Sequence, residues 1–233
     1  MPTSAESELI RRLQRARALH QERAAAPQLA VALDRLAAWQ SKRLNATYAD
    51  LAREPRYAGA IAFFQTDLYG PGDFSRRDAD LARVVPLMVR VLPAGVIATV
   101  SQAMELSILA HELDRQLLPH LPPRKPLSVA TYCEAYCALA NRGARERQIA
   151  LIVAVGRALD RYVGKVIVRS ALAAMRQPAR LAGLGALQSF LERGFTAFRR
   201  MGGASVFLQT VETRETVLMN AIFSGDHAPF AEP

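Results

Sequence analysis

The chain has 233 residues and a formal net charge of +9; 51% of it is hydrophobic, 22% charged and 7% aromatic. That composition excludes a disordered polymer, a collagenous repeat and a disulfide scaffold, and the length is enough to bury a real core. Ala, Leu and Arg dominate, and all three are strong helix formers, so an all-α fold is expected.

The apolar periodicity is helical from the start. A first helix is predicted from about Ser7 to Ala25, with Ile10, Leu13, Ala16 and Leu19 on one side. Pro27 suits the first position of a second helix that carries Leu29, Leu33, Leu36 and Trp39. Thr47 with Asp50 reads as a capping pair for a short helix ending before Pro55. Arg56 to Tyr69 follows, broken by Gly70-Pro71-Gly72. Ser75 with Asp78 reads as a second capping pair, opening a helix to about Val91 that Pro86 should kink or interrupt. Pro93 can begin a long helix to about Leu118. Residues 119–126, rich in proline, form the best linker candidate. Ser128 can cap the next helix, which ends near Asn141. One long helix is predicted from about Ala144 to Met175, another from Leu184 to Arg200, and a last from about Ser205 to Phe223.

No strand, internal repeat or low-complexity tract is found. The expectation is one all-α, compact domain of about eight or nine helices over residues 1–226. A subdomain division at the linker 119–126 stays open, and residues 227–233 are expected to form a loose tail. Met1 to Arg17 has no apolar signal-peptide core, and no stretch is long and apolar enough to span a bilayer. With two cysteines and no secretion signal, a cytoplasmic location is expected.

The positive charge is local, since residues 121–180 hold eleven basic and three acidic residues. In the helix around 149–170, Arg157, Arg161, Lys165 and Arg169 recur every four residues, opposite an apolar face. The bland reading is a solvated basic face; the functional one is a polyanion-contacting stripe, such as a nucleic-acid surface. Tyr162 is the one aromatic nearby, and nucleic-acid modules commonly add more.

Most chemical motifs are absent. His111-Glu112 is not followed by the second histidine of a zinc helix. Gly183-Leu-Gly185 lacks the third glycine and preceding strand of a dinucleotide site, and Gly164-Lys165 lacks the upstream glycine of a phosphate loop. Cys133 and Cys137 share a helix face but have no second pair to complete a metal site. His20, His111, His120 and His227 are scattered. No metal and no cofactor are therefore expected.

The densest polar group surrounds the Gly-Pro-Gly turn: Asp67, Tyr69, Asp73, Arg76, Arg77 and Asp78. Its structural reading is a helix junction fastened by caps and ion pairs. Its functional reading is a ligand pocket or partner patch. The run Phe63-Phe64-Gln65-Thr66-Asp67-Leu68-Tyr69-Gly70-Pro71-Gly72-Asp73-Phe74-Ser75-Arg76-Arg77-Asp78 resembles the FFxxDLYGPxDFSxRD signature of an uncharacterised bacterial all-helical family. The similarity continues through Trp39-Gln40, Thr47-Tyr48, Arg147-Gln148-Ile149, Leu191 to Phe195 and Glu212 to Glu215. The resemblance implies a single family domain and carries no catalytic residue with it. The favoured function is a non-enzymatic binding or regulatory module for a protein partner or small ligand. The alternatives are an enzyme or ligand carrier with a pocket at the signature segment, and a polyanion binder using the basic stripe.

Overall fold

Three prolines open helical elements, because a ring-fixed φ suits the first turn and the missing N–H would have no partner there. Pro27 opens α2 (Pro27–Thr47), Pro55 opens α4 (Pro55–Phe63), and Pro119 lies in a 3-10 turn (Leu118–His120). The computed structural model describes residues 4–68, 75–91, 94–123 and 125–233. Its other helices are α1 (Ser4–Ala25), α3 (Ala49–Arg53), α5 (Ser75–Val91), α6 (Ala94–Leu117), α7 (Val129–Ala138), α8 (Arg142–Val163), α9 (Val166–Ala174), α10 (Arg176–Leu181), α11 (Gly185–Arg200) and α12 (Ser205–Phe223). A π-helical turn, Phe64–Leu68, continues α4 directly. No strand occurs among the described residues.

Among the described residues the fold is all-helical as expected, with twelve α-helices in place of eight or nine. The extra count comes mainly from the region predicted as one helix over 144–175. Lys165 is extended (φ −84°, ψ 118°) and separates α8 from α9, and Met175 separates α9 from α10. Gly164 and the β-branched Val163, Val166 and Val168 flank the first break, and all hold a helix poorly. The expected interruption at Pro86 is not seen, since α5 runs through it.

Caps divide in the same way. Ser128 is a cap: its hydroxyl accepts from the Thr131 N–H, and Thr131 returns a bond to the Ser128 N–H. The Thr47–Asp50 pair is not. α3 has no side-chain cap, and Asp50 binds the Arg214 guanidinium through both oxygens at 2.8 and 2.6 Å. A bidentate charged pair outcompetes a single capping bond.

Three apolar cores organise the described residues. The first joins α2, α6, α7 and α12 around Leu36, Trp39, Leu117, Tyr132, Met219 and Ile222. The second joins α3, α4, α11 and α12 around Leu51, Tyr57, Ile61, Phe198, Phe207 and Leu208. The third packs α1 on α5 and α6 through Leu9, Leu13, Val85, Ile97 and Met104. Helices from both sides of the proline-rich linker thus share the first two cores. Arg35 of α2 fastens that linker by donating to the carbonyls of Pro122 (2.6 Å), Pro123 (2.9 Å) and Lys125 (3.3 Å).

Two side chains of the tail over 227–233 reach the helices. Phe230 packs 6.3 Å from the Trp39 ring, and Glu232 accepts the Val129 N–H at 2.8 Å. That N–H is one of the donors a helix start leaves without an internal partner. Cys133 is fully buried in the first core, where burial pushes its thiol up to about 12, so it packs as a small apolar residue. No helix among the described residues is long and apolar enough to cross a membrane.

Gly156 lets α8 approach α12. A Cβ there would lie 2.4 Å from Leu208 Cδ2 and 3.1 Å from Cδ1, and Leu208 is only 1% exposed. Gly156→Ala should gain about 1 kcal/mol of helix propensity and lose roughly 1–3 kcal/mol to overpacking. A lower denaturant midpoint is expected; a higher one would mean that α12 yields without cost.

Candidate functional site

The signature segment is brought together as a fastening. Asp67 is buried at the end of the π-helical turn, and the Arg193 Nε of α11 donates to its Oδ1 at 3.0 Å and Oδ2 at 3.2 Å. Arg77 donates to the Asp67 carbonyl at 3.0 Å and to Asp78 Oδ1 at 2.9 Å, and its guanidinium lies 4.8 Å from the Phe190 ring centroid. Asp78, expected to turn back as a cap, directs its other oxygen to His20 Nε2 of α1 at 2.9 Å. Burial alone would raise Asp78, but His20 and Arg77 outweigh it and hold the carboxyl below its ordinary range. His20 also meets His111 of α6 edge to face at 5.8 Å, so two histidines far apart in sequence are neighbours. Tyr69 and Asp73 lie outside the described residues, as does the side chain of Arg76.

The basic stripe does not form on one helix. Its spacing holds only while α8 continues, and α8 ends at Val163. Arg157 and Arg161 stay on α8, Lys165 sits at the break and Arg169 moves to α9. Arg157 reaches Glu212 at 3.5 Å, and Lys165 lies 5.7 Å from the Tyr162 ring centroid. All four are exposed.

A cavity of about 130 Å³ lies elsewhere, between α2, α4, the π-helical turn, α6, α7, α8 and α12. One part of its wall is apolar, with Ile61, Phe64, Ile152, Phe207 and Val211. The wide π turn sets Phe64 and Gln65 on this wall while Asp67 faces Arg193. The other part is polar, with Gln40, Arg43, Tyr48, Asp114, Arg145, Gln148 and Glu215. Phe230 of the tail also lines it.

Two arginines on the wall are treated differently. Arg43 donates to Glu215 Oε1 at 2.8 Å, and the Tyr48 hydroxyl donates to the same oxygen at 2.8 Å. Burial works against the Arg43 charge, but the Glu215 carboxylate outweighs it and raises Arg43 above its ordinary value. Burial likewise works against ionised Glu215, and Arg43 with the Tyr48 bond holds it below its ordinary value. Tyr48 is raised by burial first and by the adjacent Glu215 second. Arg145 has no such partner. It is 4% exposed and its guanidinium stacks 4.3 Å from the Tyr136 ring centroid. Nη1 donates to Gln148 at 3.2 Å, while Nε and Nη2 have no hydrogen-bond partner among the described residues. Arg43 Nε is unpartnered as well. Asp114 accepts from Gln40 at 2.9 Å, and burial raises its carboxyl toward the neutral form against the pull of Gln40 and Arg145.

Composition hid these residues, because an arginine among arginines reads as surface. A trace was present in the scattered similarity beyond the signature: Gln40, Tyr48, Gln148, Ile149 and Glu215 come from four of its separate pieces, and all five line the cavity.

The chain belongs to a family described as a domain of unknown function (DUF8198), whose model matches residues 19–229. No curated protein and no solved structure matches it.

Asp67→Asn should lower stability by about 1–2 kcal/mol, the size of a charge-assisted bond discounted for a half-exposed Arg193. Glu215 and Asp78 both have lowered folded pKa values, so their stabilisation is complete above their unfolded values of about 4.3 and 3.9. It is lost as pH falls through the folded values. Asp114, raised by burial, works the other way and adds stability as pH falls toward its unfolded value of about 3.9. The drop in denaturant midpoint is therefore expected below about pH 4, and a midpoint that goes on rising there would contradict both assignments.

Proposed function

We propose that the chain is a non-enzymatic helical module that holds a small ligand in the cavity between α2, α6, α7, α8 and α12. The observation that carries this reading is convergence. Polar side chains from five separate segments meet apolar walls around one space, the composition that small-molecule sites share. Cavities of about 150 Å³ accept a molecule the size of benzene. The space here, about 130 Å³, suits a compact organic molecule of similar bulk.

Two features favour binding over catalysis. The wall carries no Ser, Thr, Cys, Lys or His among the described residues, so the usual nucleophiles are missing from it, and the raised Asp114 carboxyl has none beside it to activate. Its tyrosines and Glu215 are shifted away from neutral pH. The signature segment supports the enzyme or carrier alternative less well, because Asp67 and Asp78 are taken up by Arg193, Arg77 and His20. The polyanion alternative loses the continuous stripe on which it was built.

Thermal-shift and native mass spectrometry measurements with compact probes (benzyl alcohol, benzamide, benzoate) test the reading. At least one probe should raise the unfolding midpoint and bind one per chain. Val211→Phe places a ring in the cavity and should abolish that binding while the far-UV helical signal is kept. Unchanged binding in Val211→Phe, or no binding by any probe, would overturn it.

A further inference from the structure

We infer that the cavity takes a compact monocarboxylate, its head group seated on the open edge of Arg145 and its apolar body against Phe64, Phe207 and Val211; this rests on the cavity reading above. A guanidinium presents its Nε and Nη2 hydrogens side by side on one edge, a fork that matches the two oxygens of a carboxylate. The same molecule uses this edge for carboxylates elsewhere. Arg147 donates from Nε (2.9 Å) and Nη2 (2.7 Å) to Glu105, and Arg193 turns the same two nitrogens on Asp67. In Arg145 those two nitrogens are the unpartnered pair, while Tyr136 covers a face and Gln148 takes Nη1. What is left without an acceptor is therefore the carboxylate-binding edge, and both of its nitrogens are buried.

Burying a guanidinium that lacks an anion is costly, and removing one partner of a buried pair is among the larger destabilising changes known. The two carboxylates on the wall act on Arg145 through space but accept no hydrogen bond from it. Glu215 is taken by Arg43 and Tyr48, and Asp114 by Gln40. Burial draws Asp114 toward its neutral form, so it repels an incoming anion less than a free carboxylate would. Arg43 and Glu215 cancel each other, and Asp114 places a carboxyl within electrostatic reach of Arg145, so the fork rather than a net charge selects the ligand. A monoanion suits such a wall better than a dianionic phosphate. Arg43 Nε offers a further donor on the same wall.

The test compares benzoate with its neutral isosteres benzamide and benzyl alcohol, and with inorganic phosphate, by titration calorimetry on the intact chain. Benzoate should bind about 10- to 100-fold more tightly than benzamide, the ratio expected of a charge-assisted bond. Arg145→Met should keep benzyl alcohol binding and lose the preference for benzoate. Arg145→Lys keeps the charge without the fork, and should recover only part of the preference. Neutral probes binding as tightly as benzoate to the native chain would overturn the inference and leave the cavity reading standing. Phosphate displacing benzoate would overturn the carboxylate assignment. No binding by any probe would remove the cavity reading and this inference together. The comparison of benzoate with benzamide uses only the native chain, so the inference is decided even if an Arg145 variant fails to fold.

Discussion

A guanidinium carried into a helical core must be met by an acceptor from another helix, because its own backbone is saturated by the helix it sits on. Arg43 of α2 meets that requirement through Glu215 of α12, and Tyr48 closes the group from the other side. The pair joins helices that are far apart in sequence, and it stands on the wall of the cavity. Once it is fixed, the relation of α2 to α12 is fixed. α7 and the tail then close over Trp39, with Phe230 lying 5.8 Å beneath Arg43. The first apolar core and the polar wall are thus two sides of one packing decision.

The second core is set by size. Phe63, Phe64, Phe190, Phe198, Phe207 and Tyr57 form a chain of ring contacts at 5.4–6.4 Å between α4, the π turn, α11 and α12. Rings of this bulk need small residues opposite. Gly194 supplies one, since a Cβ there would sit 2.8 Å from the Phe63 ring. This close approach brings Arg193, the preceding residue, onto Asp67. The signature run and the Leu191 to Phe195 run are therefore joined twice, by a ring against a glycine and by a charged pair.

The helical class was legible because 3.6-residue periodicity is a property of the chain itself. Ser128 was legible for the same reason, since a cap is decided within four residues. Thr47 and Asp50 show where local reasoning stops: the pattern was right for a cap, but Arg214 lies 164 residues away and offers a stronger partner. The break at Gly164 and Lys165 was hidden because each side of it keeps the same helical spacing. A two-residue interruption barely disturbs the periodicity while it turns the following helix away. Arg145 was the hardest to read. Nothing in its neighbourhood, Asn141-Arg142-Gly143-Ala144-Arg145-Glu146-Arg147, marks it apart from the two arginines beside it. Those two pair with Glu146 and Glu105 at the surface, and the helix turns only the middle one inward.

That inward turn also relates binding to folding. A ligand that binds only the folded chain stabilises it by an amount that grows with its concentration over its dissociation constant. An anion on the open edge of Arg145 would touch α8 directly and α2 through Arg43. It would therefore fasten two helices whose guanidiniums both stand on the cavity wall. Helices α6 and α12 supply that wall's carboxylates, which are hydrogen-bonded to Gln40 and to Arg43 with Tyr48. Internal hydrogen bonding thus leaves one guanidinium edge without an acceptor inside the fold, and such an edge is settled either by strain or by a bound acceptor. In this molecule the shape of the open edge, the apolar wall opposite and the size of the space between them all agree with the second.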